Sequence, residues 1–396
     1  MENKKRVFVE LHMLQNFAPA NLNRDDTGAP KDCEFGGYRR ARISSQCLKR
    51  AIRMTFREQG LLPSENLSER TALLLNELVD RLKNKGRDDE GARRVAETAI
   101  RSVGLGLSDG KTQYLLFLGR GEIAALADKC DRHWDELRKV LSPSSGEAPS
   151  ERDSRKKKKE SKSTIPEEVA RSVKDVLDGG KAADLALFGR MLADMPGKNI
   201  DAACQVAHAI STNRISMEFD WYTAVDDLQP EEASGAGMMG TVEYNSACFY
   251  RYANLDVGQL IENLGGDREL ALKTVEAFLR ASVAAVPTGK QNSMAAQNPP
   301  SLVFGVVRSS GLWSLANAFE KPISPVQGGL VQNSINALDG YWGQLLKMYA
   351  EASILGKWCA TLGDGELSNL QSAKVRNVST LIENVVGEVR KQISEG

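Results

Sequence analysis

The chain contains no run of 18 apolar residues, no CxxC pair, only three histidines and no excess of charge of either sign. Each shortage excludes something. Without a long apolar run there is nothing to span a membrane as a helix. The six cysteines, at 33, 47, 130, 204, 248 and 359, stand too far apart for a zinc centre and read as reduced thiols. His12, His133 and His208 belong to no His-x-x-x-His or Glu-adjacent pattern, and His12 reads as a packed residue on the first strand. Met1 to Arg6 run directly into strand-like Val7-Phe8-Val9-Glu10-Leu11 without an apolar signal core. These features predict a soluble, cytoplasmic protein that is not an enzyme and holds no cofactor or metal. Because 52 Lys and Arg balance 52 Asp and Glu, a polyanionic partner has to be met by a local patch.

Residues 35–57 supply such a patch, with Arg39, Arg40, Arg42, Lys49, Arg50, Arg53 and Arg57 and no Asp or Glu. Gly36-Gly37 opens it, Ser44 or Ser45 can cap, and a helical pattern over about 44–59 follows, stopped by Gly60 and Pro63. At about 100° per residue, Gln46, Lys49, Arg50, Arg53 and Arg57 face one way and Leu48, Ala51, Ile52 and Thr55 the other. Such a helix buries one face and offers a cationic stripe beside its positive N-terminal end, which suits a run of phosphates. Charge alone favours a solvated basic face. The glycine pair and upstream arginines favour a ligand, because glycine lets backbone come close to one.

A length of 396 residues allows two or three domains, and 41% hydrophobic residues is ample for a core. A strand is expected over 5–14, a long polar loop over 15–43, and helices over 67–84, 88–102, 120–141 and 165–177. Tyr114 to Leu118 reads as strand. Residues 142–164, rich in Ser, Lys and Arg, read as a flexible surface loop. Further along, 182–191 reads as strand, 200–210 as a short helix, and 215–252 as an extended excursion with an acidic, glycine-rich middle. Helices over 256–264 and 267–285, a strand at 301–307, and helices over 331–358 and 372–392 complete an α+β pattern.

Two motifs fail on context. Gly235-Ala-Gly-Met-Met-Gly240 matches GxGxxG but precedes a strand where a dinucleotide site needs a helix. Thr288-Gly289-Lys290 lacks the first glycine and the Ser/Thr of a P-loop, so Lys290 and Gln291 remain weak phosphate candidates. Asp25-Asp26, Asp88-Asp89 and Asp226-Asp227 fit turn and cap chemistry. Trp221 and Tyr222 lie on an extended segment, where they suit either a wedge between bases or packing on their own hairpin. Met238 and Met239 are equally open.

Taken together, Asn21 to Asp26, Lys31-Asp32 and Phe35 to Ala51 closely resemble the CasC family, the repeated backbone subunit of the type I-E CRISPR surveillance complex, Cascade. Ala186-Leu-Phe-Gly-Arg-Met191, Asp220-Trp-Tyr-Thr-Ala-Val-Asp-Asp227 and Val286-Pro-Thr-Gly-Lys-Gln291 extend the resemblance over most of the chain, with 142–164 outside it. The resemblance implies a right-hand shape. A ferredoxin-like (RRM-like) palm takes 1–59 and 181–396, a helical fingers domain 60–180, and a protruding β-hairpin thumb 212–243. It also implies CRISPR guide RNA (crRNA), the target DNA strand, further copies in a helical filament, other Cascade subunits and a recruited helicase–nuclease as partners. RNA contacts then fall on Arg24, Lys31, Ser44, Gln46, Lys49, Arg50 and Arg53, with Lys290 and Gln291 as additional phosphate or target-strand contacts. The thumb wedge falls on Trp221, Tyr222 and Thr223, with Met238 or Met239 on the returning side. Tyr222 stands at an aromatic position that tolerates Phe. Some related backbone subunits cut RNA with a loop aspartate, which here would be Asp25, Asp26 or Asp32. A stand-alone RNA-binding module is the third possibility.

Overall fold

A computed structural model describes residues 6–140, 166–224, 238–363 and 365–394. The Ser/Lys-rich loop expected at 142–164, the pair Asp226-Asp227 and the first glycines of the 235–240 motif lie outside the described residues. In chain order the strands are β1 (Phe8–Ala20), β2 (Asp32–Phe35), β3 (Tyr38–Ile43), β4 (Ser68–Thr71), β5 (Leu107–Ser108), β6 (Lys111–Thr112) and β7 (Leu116–Gly119). They continue with β8 (Cys204–Val206), β9 (Ala209–Ser211), β10 (Glu218–Ala224), β11 (Met238–Asp256), β12 (Leu302–Arg308) and β13 (Ile354–Thr361). The chain forms two compact units. One comprises Met1–Leu62, Cys204–Leu260 and Arg268–Gly396, the other Pro63–Ala203 with Ile261–Asp267.

The first unit is mixed α/β, built on an antiparallel sheet ordered β13-β12-β1-β11-β9-β3-β2, with β8 and β10 also paired to β11. β1 is an inner strand, flanked by β11 and β12. Leu14, Tyr250, Phe304, Leu338 and Trp342 join one core around the helix Gly329–Tyr349. Elsewhere in the unit the helix Val378–Ser394 comes so close to β12 that a Cβ on Gly305 would lie 3.1 Å from Val385 and 3.2 Å from Leu381.

His12 is fully buried on β1, stacked between aromatic rings, with Nδ1 2.9 Å from the Tyr250 hydroxyl. The same hydroxyl accepts the Leu315 N–H at 2.8 Å. Burial first, and the Arg308 guanidinium second, lower the imidazole to about 3. The unfolded chain takes up a proton at this residue near pH 6.5, whereas the folded chain does not. Stability is therefore lost as the pH falls below about 6.5, by up to ~1.4 kcal/mol per unit. His12→Phe is expected to flatten the dependence of the urea midpoint on pH between 6.5 and 4.5. An unchanged slope would show that His12 does not set it.

The second unit is mainly helical, with Leu74–Asn84, Asp89–Ser102, Arg120–Arg132, Trp134–Lys139 and Glu167–Asp175 packed around Leu78, Val95, Ala99, Leu126 and Val173. Asp88 caps the second of these helices through Gly91 N, as its sequence position predicts. Inside this unit, Arg190 Nη1 donates to both Glu122 oxygens at 2.8 Å, and both side chains are buried. Glu122 also accepts from Gly119 N at 2.7 Å and Gly179 N at 2.6 Å.

Several local expectations are overturned. The stretch 15–43 is not a loop. β1 runs on to Ala20, and β2 and β3 form a hairpin across Gly36-Gly37, both at positive φ (62° and 78°). The polar residues that suggested a loop are satisfied at long range, as where Gln15 donates to Asn298 O and accepts from Arg251. Residues 200–210 form β8 and β9 instead of a helix, because both pair with β11. The stretch 182–191 is helical over Ala183–Phe188 and ends at Gly189, φ 76°. The expected 67–84 helix begins as β4, paired to β7. The 331–358 helix stops at Tyr349, where Ala350 turns to positive φ, and β13 follows beside β12. The first two helices of the second half and the strand at 302–308 lie where expected.

Candidate nucleic-acid interface

The basic helix, α1, spans Ser45–Glu58 and buries Leu48, Ala51, Ile52, Thr55 and Phe56. Ser44 is its cap, accepting from Cys47 N at 3.3 Å, and its own N–H is held by Asn23 Oδ1 at 2.8 Å. The first turn carries no acid, so the positive end of the helix is not neutralised locally.

The loop ahead of β2 is closed by its own hydrogen bonds. Asp25 accepts from Thr27 N, the Thr27 hydroxyl and Ala29 N at 2.8–3.0 Å, and Lys31 N donates to Asn23 O. These bonds, the Thr27 hydroxyl first, hold the Asp25 carboxyl below its usual range. Buried Asn21 fastens the loop to the sheet, donating to Gly28 O and to Glu243 O. Against the same loop lies Gly289, where a Cβ would collide with the Leu22 carbonyl and come within 2.7 Å of Asn21 O. Lys290 is thereby carried next to the 21–31 loop in the left-handed conformation, φ 50°. Gln291 spends its amide inside its own loop, donating to Pro287 O and Ala296 O and accepting from Gln297.

Arg39 pairs with Asp32. Arg40 is not part of the cationic surface. It is fully buried, and its guanidinium donates to Ser211 O, Thr212 O, Phe319 O and Glu320 O at 2.7–3.0 Å. Gly36 is likewise explained by the chain itself, since a Cβ there would collide with the Glu320 carbonyl. Its close approach is to backbone and not to a ligand.

What remains is a set of cations without acids. Arg24, Lys31, Arg42, Arg50 and Lys290 form no ion pair among the described residues. Lys31 and Arg50 both act on the Cys47 thiol, which burial nonetheless raises. Lys49 acts on buried Cys204 of β8, pushed up to about 12 by burial. Gln46 is exposed in the first turn, while Lys49 and Arg53 are half-buried along the helix.

The hairpin β10–β11 sorts the expected wedge residues by face. The register pairs Trp221 with Thr241, Tyr222 with Gly240, Thr223 with Met239 and Ala224 with Met238. Phe219, Trp221 and Thr223 therefore share one face with Met239, and Tyr222 shares the other with Met238. Phe219, Trp221 and Met239 are 65%, 65% and 64% exposed. Tyr222 instead lies over Gly240, where a Cβ would sit 2.6 Å from its Cζ. The contact and wedge residues expected from the sequence include neither Phe219 nor Arg42 and His208. The period-two spacing of Phe219 and Trp221 contained the first signal; the other two meet only through the sheet.

No curated protein matches the chain. A solved chain described as "CRISPR RNA-guided surveillance complex, pre-nicking" is 31% identical with a TM-score of 0.82, covering 96% of this chain and 99% of that one. Another, described as "CRISPR RNA-guided surveillance complex", is 26% identical with a TM-score of 0.72 and the same coverage. A family model described as CT1975-like protein matches residues 9–387. The resemblance read from the basic stretch thus holds, and the chain belongs to the CT1975-like protein family of CRISPR-associated backbone proteins.

Proposed function

We propose that this chain is the repeated, non-catalytic backbone subunit of a type I-E Cascade complex. It grips the sugar–phosphate backbone of the guide RNA and presents the bases to the target DNA strand. The observation that carries this reading is the group of cations without acidic partners around the capped end of α1, in a chain of zero net charge. Backbone contacts of this kind are indifferent to sequence, as a guide holder requires. The two similar solved chains come from RNA-guided surveillance complexes. A ferredoxin-like palm is supported by the path β1, α1, β8–β9, β11, helix Arg268–Ala284, β12 and the spatial order β12-β1-β11-β9. The exposed apolar face of the β10–β11 hairpin supports a thumb that wedges the guide–target duplex. Further copies along the guide, other Cascade subunits and a recruited helicase–nuclease complete the assembly, in the cytoplasm. The loop aspartates weigh against RNA cutting, since Asp25 closes its own loop and Asp32 pairs with Arg39.

The test is to purify the chain from cells making a CRISPR transcript and to sequence the RNA that accompanies it. Wild type should carry repeat–spacer RNA, and Lys49→Ala, Arg50→Ala, Arg53→Ala should lose it. No specific RNA with either protein would sink the proposal.

A further inference from the structure

His208 lies exposed on the turn between β8 and β9, beside β3. Arg42 Nη1 is 3.0 Å from its Nδ1. A guanidinium only donates, so Nδ1 is the acceptor, the ring is neutral, and the proton sits on Nε2. The rest of Arg42 is positioned by the backbone, its Nε donating to Asp32 O at 3.1 Å while its N–H bonds to Lys31 O at 2.9 Å. No carboxylate answers Arg42, Lys31 or His208 among the described residues, since the nearby Asp32 carboxylate is taken by Arg39. Three donors, two of them permanent cations, therefore converge with no anion between them.

We propose that Lys31, Arg42 and His208 form one phosphate-binding site of the guide-RNA grip, with His208 donating Nε2–H to a phosphate oxygen and gaining a second proton as the phosphate binds. This inference rests on the RNA-binding reading above. Arg42 and Lys31 are the charged groups acting on the imidazole, and together with burial, the largest cause, they hold its pKa below the usual value. A phosphodiester offsets both cations and supplies Arg42 with a better acceptor than Nδ1. Nδ1 is then released and takes a proton from solvent, which makes His208 a third cation of the site. Proton uptake on binding means that affinity rises as the pH falls. The rise occupies the interval between the bound pKa and the lower pKa of the free protein. A one-unit difference between the two corresponds to about tenfold in affinity.

The experiment titrates a single-stranded repeat–spacer RNA against the full-length chain at fixed salt between pH 7.5 and 5.5, for wild type and His208→Gln. Glutamine keeps an amide donor but cannot titrate, and at an exposed position it should leave the melting temperature unchanged. Wild type should bind several-fold tighter at pH 5.5 than at 7.5, up to about sixfold for a one-unit difference, with proton uptake seen by calorimetry in two buffers. His208→Gln should be flat. Equal slopes for the two proteins, or a flat wild type that still binds at neutral pH, would overturn the site and leave the guide-RNA reading standing. No RNA binding by wild type at any pH would overturn both.

Discussion

Arg190→Met is expected to destabilise the 63–203 unit by about 3–5 kcal/mol, near the whole stability of a modest domain. Arg190 meets Glu122 through two bonds of 2.8 Å, with side-chain exposures of 1% and 0%. Removing the guanidinium leaves a carboxylate in the core with only the Gly119 and Gly179 N–H groups to hold it. It also frees the carbonyls of Leu177 and Lys198, to which Nη2 donates at 3.4 and 3.2 Å. The penalty is that of an unpaired buried charge, so Glu122→Gln added to Arg190→Met should recover much of the loss. Arg171→Ala removes an exposed pair with Glu167 (71% and 87%) and should cost under about 0.5 kcal/mol. Urea unfolding followed by Trp134 fluorescence would compare the three. Equal effects for Arg190 and Arg171 would show that burial of the pair does not matter.

The largest effect on binding is expected from the triple change of Lys49, Arg50 and Arg53 to alanine. Each phosphate contact on a single strand contributes about −0.7 to the slope of log K against log salt, so three contacts contribute about −2.1. At 0.15 M salt that corresponds to about 50-fold weaker binding, shrinking as salt approaches 1 M. Filter binding of one RNA across a salt series, with melting as the folding control, reads both numbers. Weaker binding with an unchanged slope would mean that the helix acts through shape and not through charge.

The family, the basic helix and its cap were readable in the sequence because they are local. A 3.6-residue pattern with Ser44 ahead of it needs no distant partner to be recognised, and neither does Asp88 before its helix. The failures share one cause. Residues 200–210 hold alanines and a histidine that propensity assigns to helix, but β11 offers ladder partners that the local sequence does not show. Residues 15–20 look like loop because the groups satisfying Gln15 lie more than 200 positions away. The Gly36-Gly37 pair suggests a backbone that comes close to a ligand, but what Gly36 approaches is the Glu320 carbonyl, 280 or more positions away in sequence and invisible locally. In the site, Arg40 and Arg42 are two letters apart and indistinguishable in charge. Alternation puts both on the same face of β3, and only distant neighbours tell them apart: Arg40 is covered by the Ser211, Thr212, Phe319 and Glu320 carbonyls, whereas Arg42 lies beside His208.

The arginine that braces this surface also fixes when the surface can exist. Arg40 is bonded to carbonyls 171 to 280 positions downstream, and β1 pairs with strands that begin more than 200 residues later. A ribosome adding about 5–20 residues per second needs roughly 14–56 s to travel from Arg40 to Glu320. From soon after Arg53 is made, the nascent chain carries Arg24, Lys31, Arg42, Lys49, Arg50 and Arg53 but lacks the frame that aligns them. Truncated products consequently carry the charge of the grip without its geometry, and a chain becomes competent to take a guide only near the end of its own synthesis.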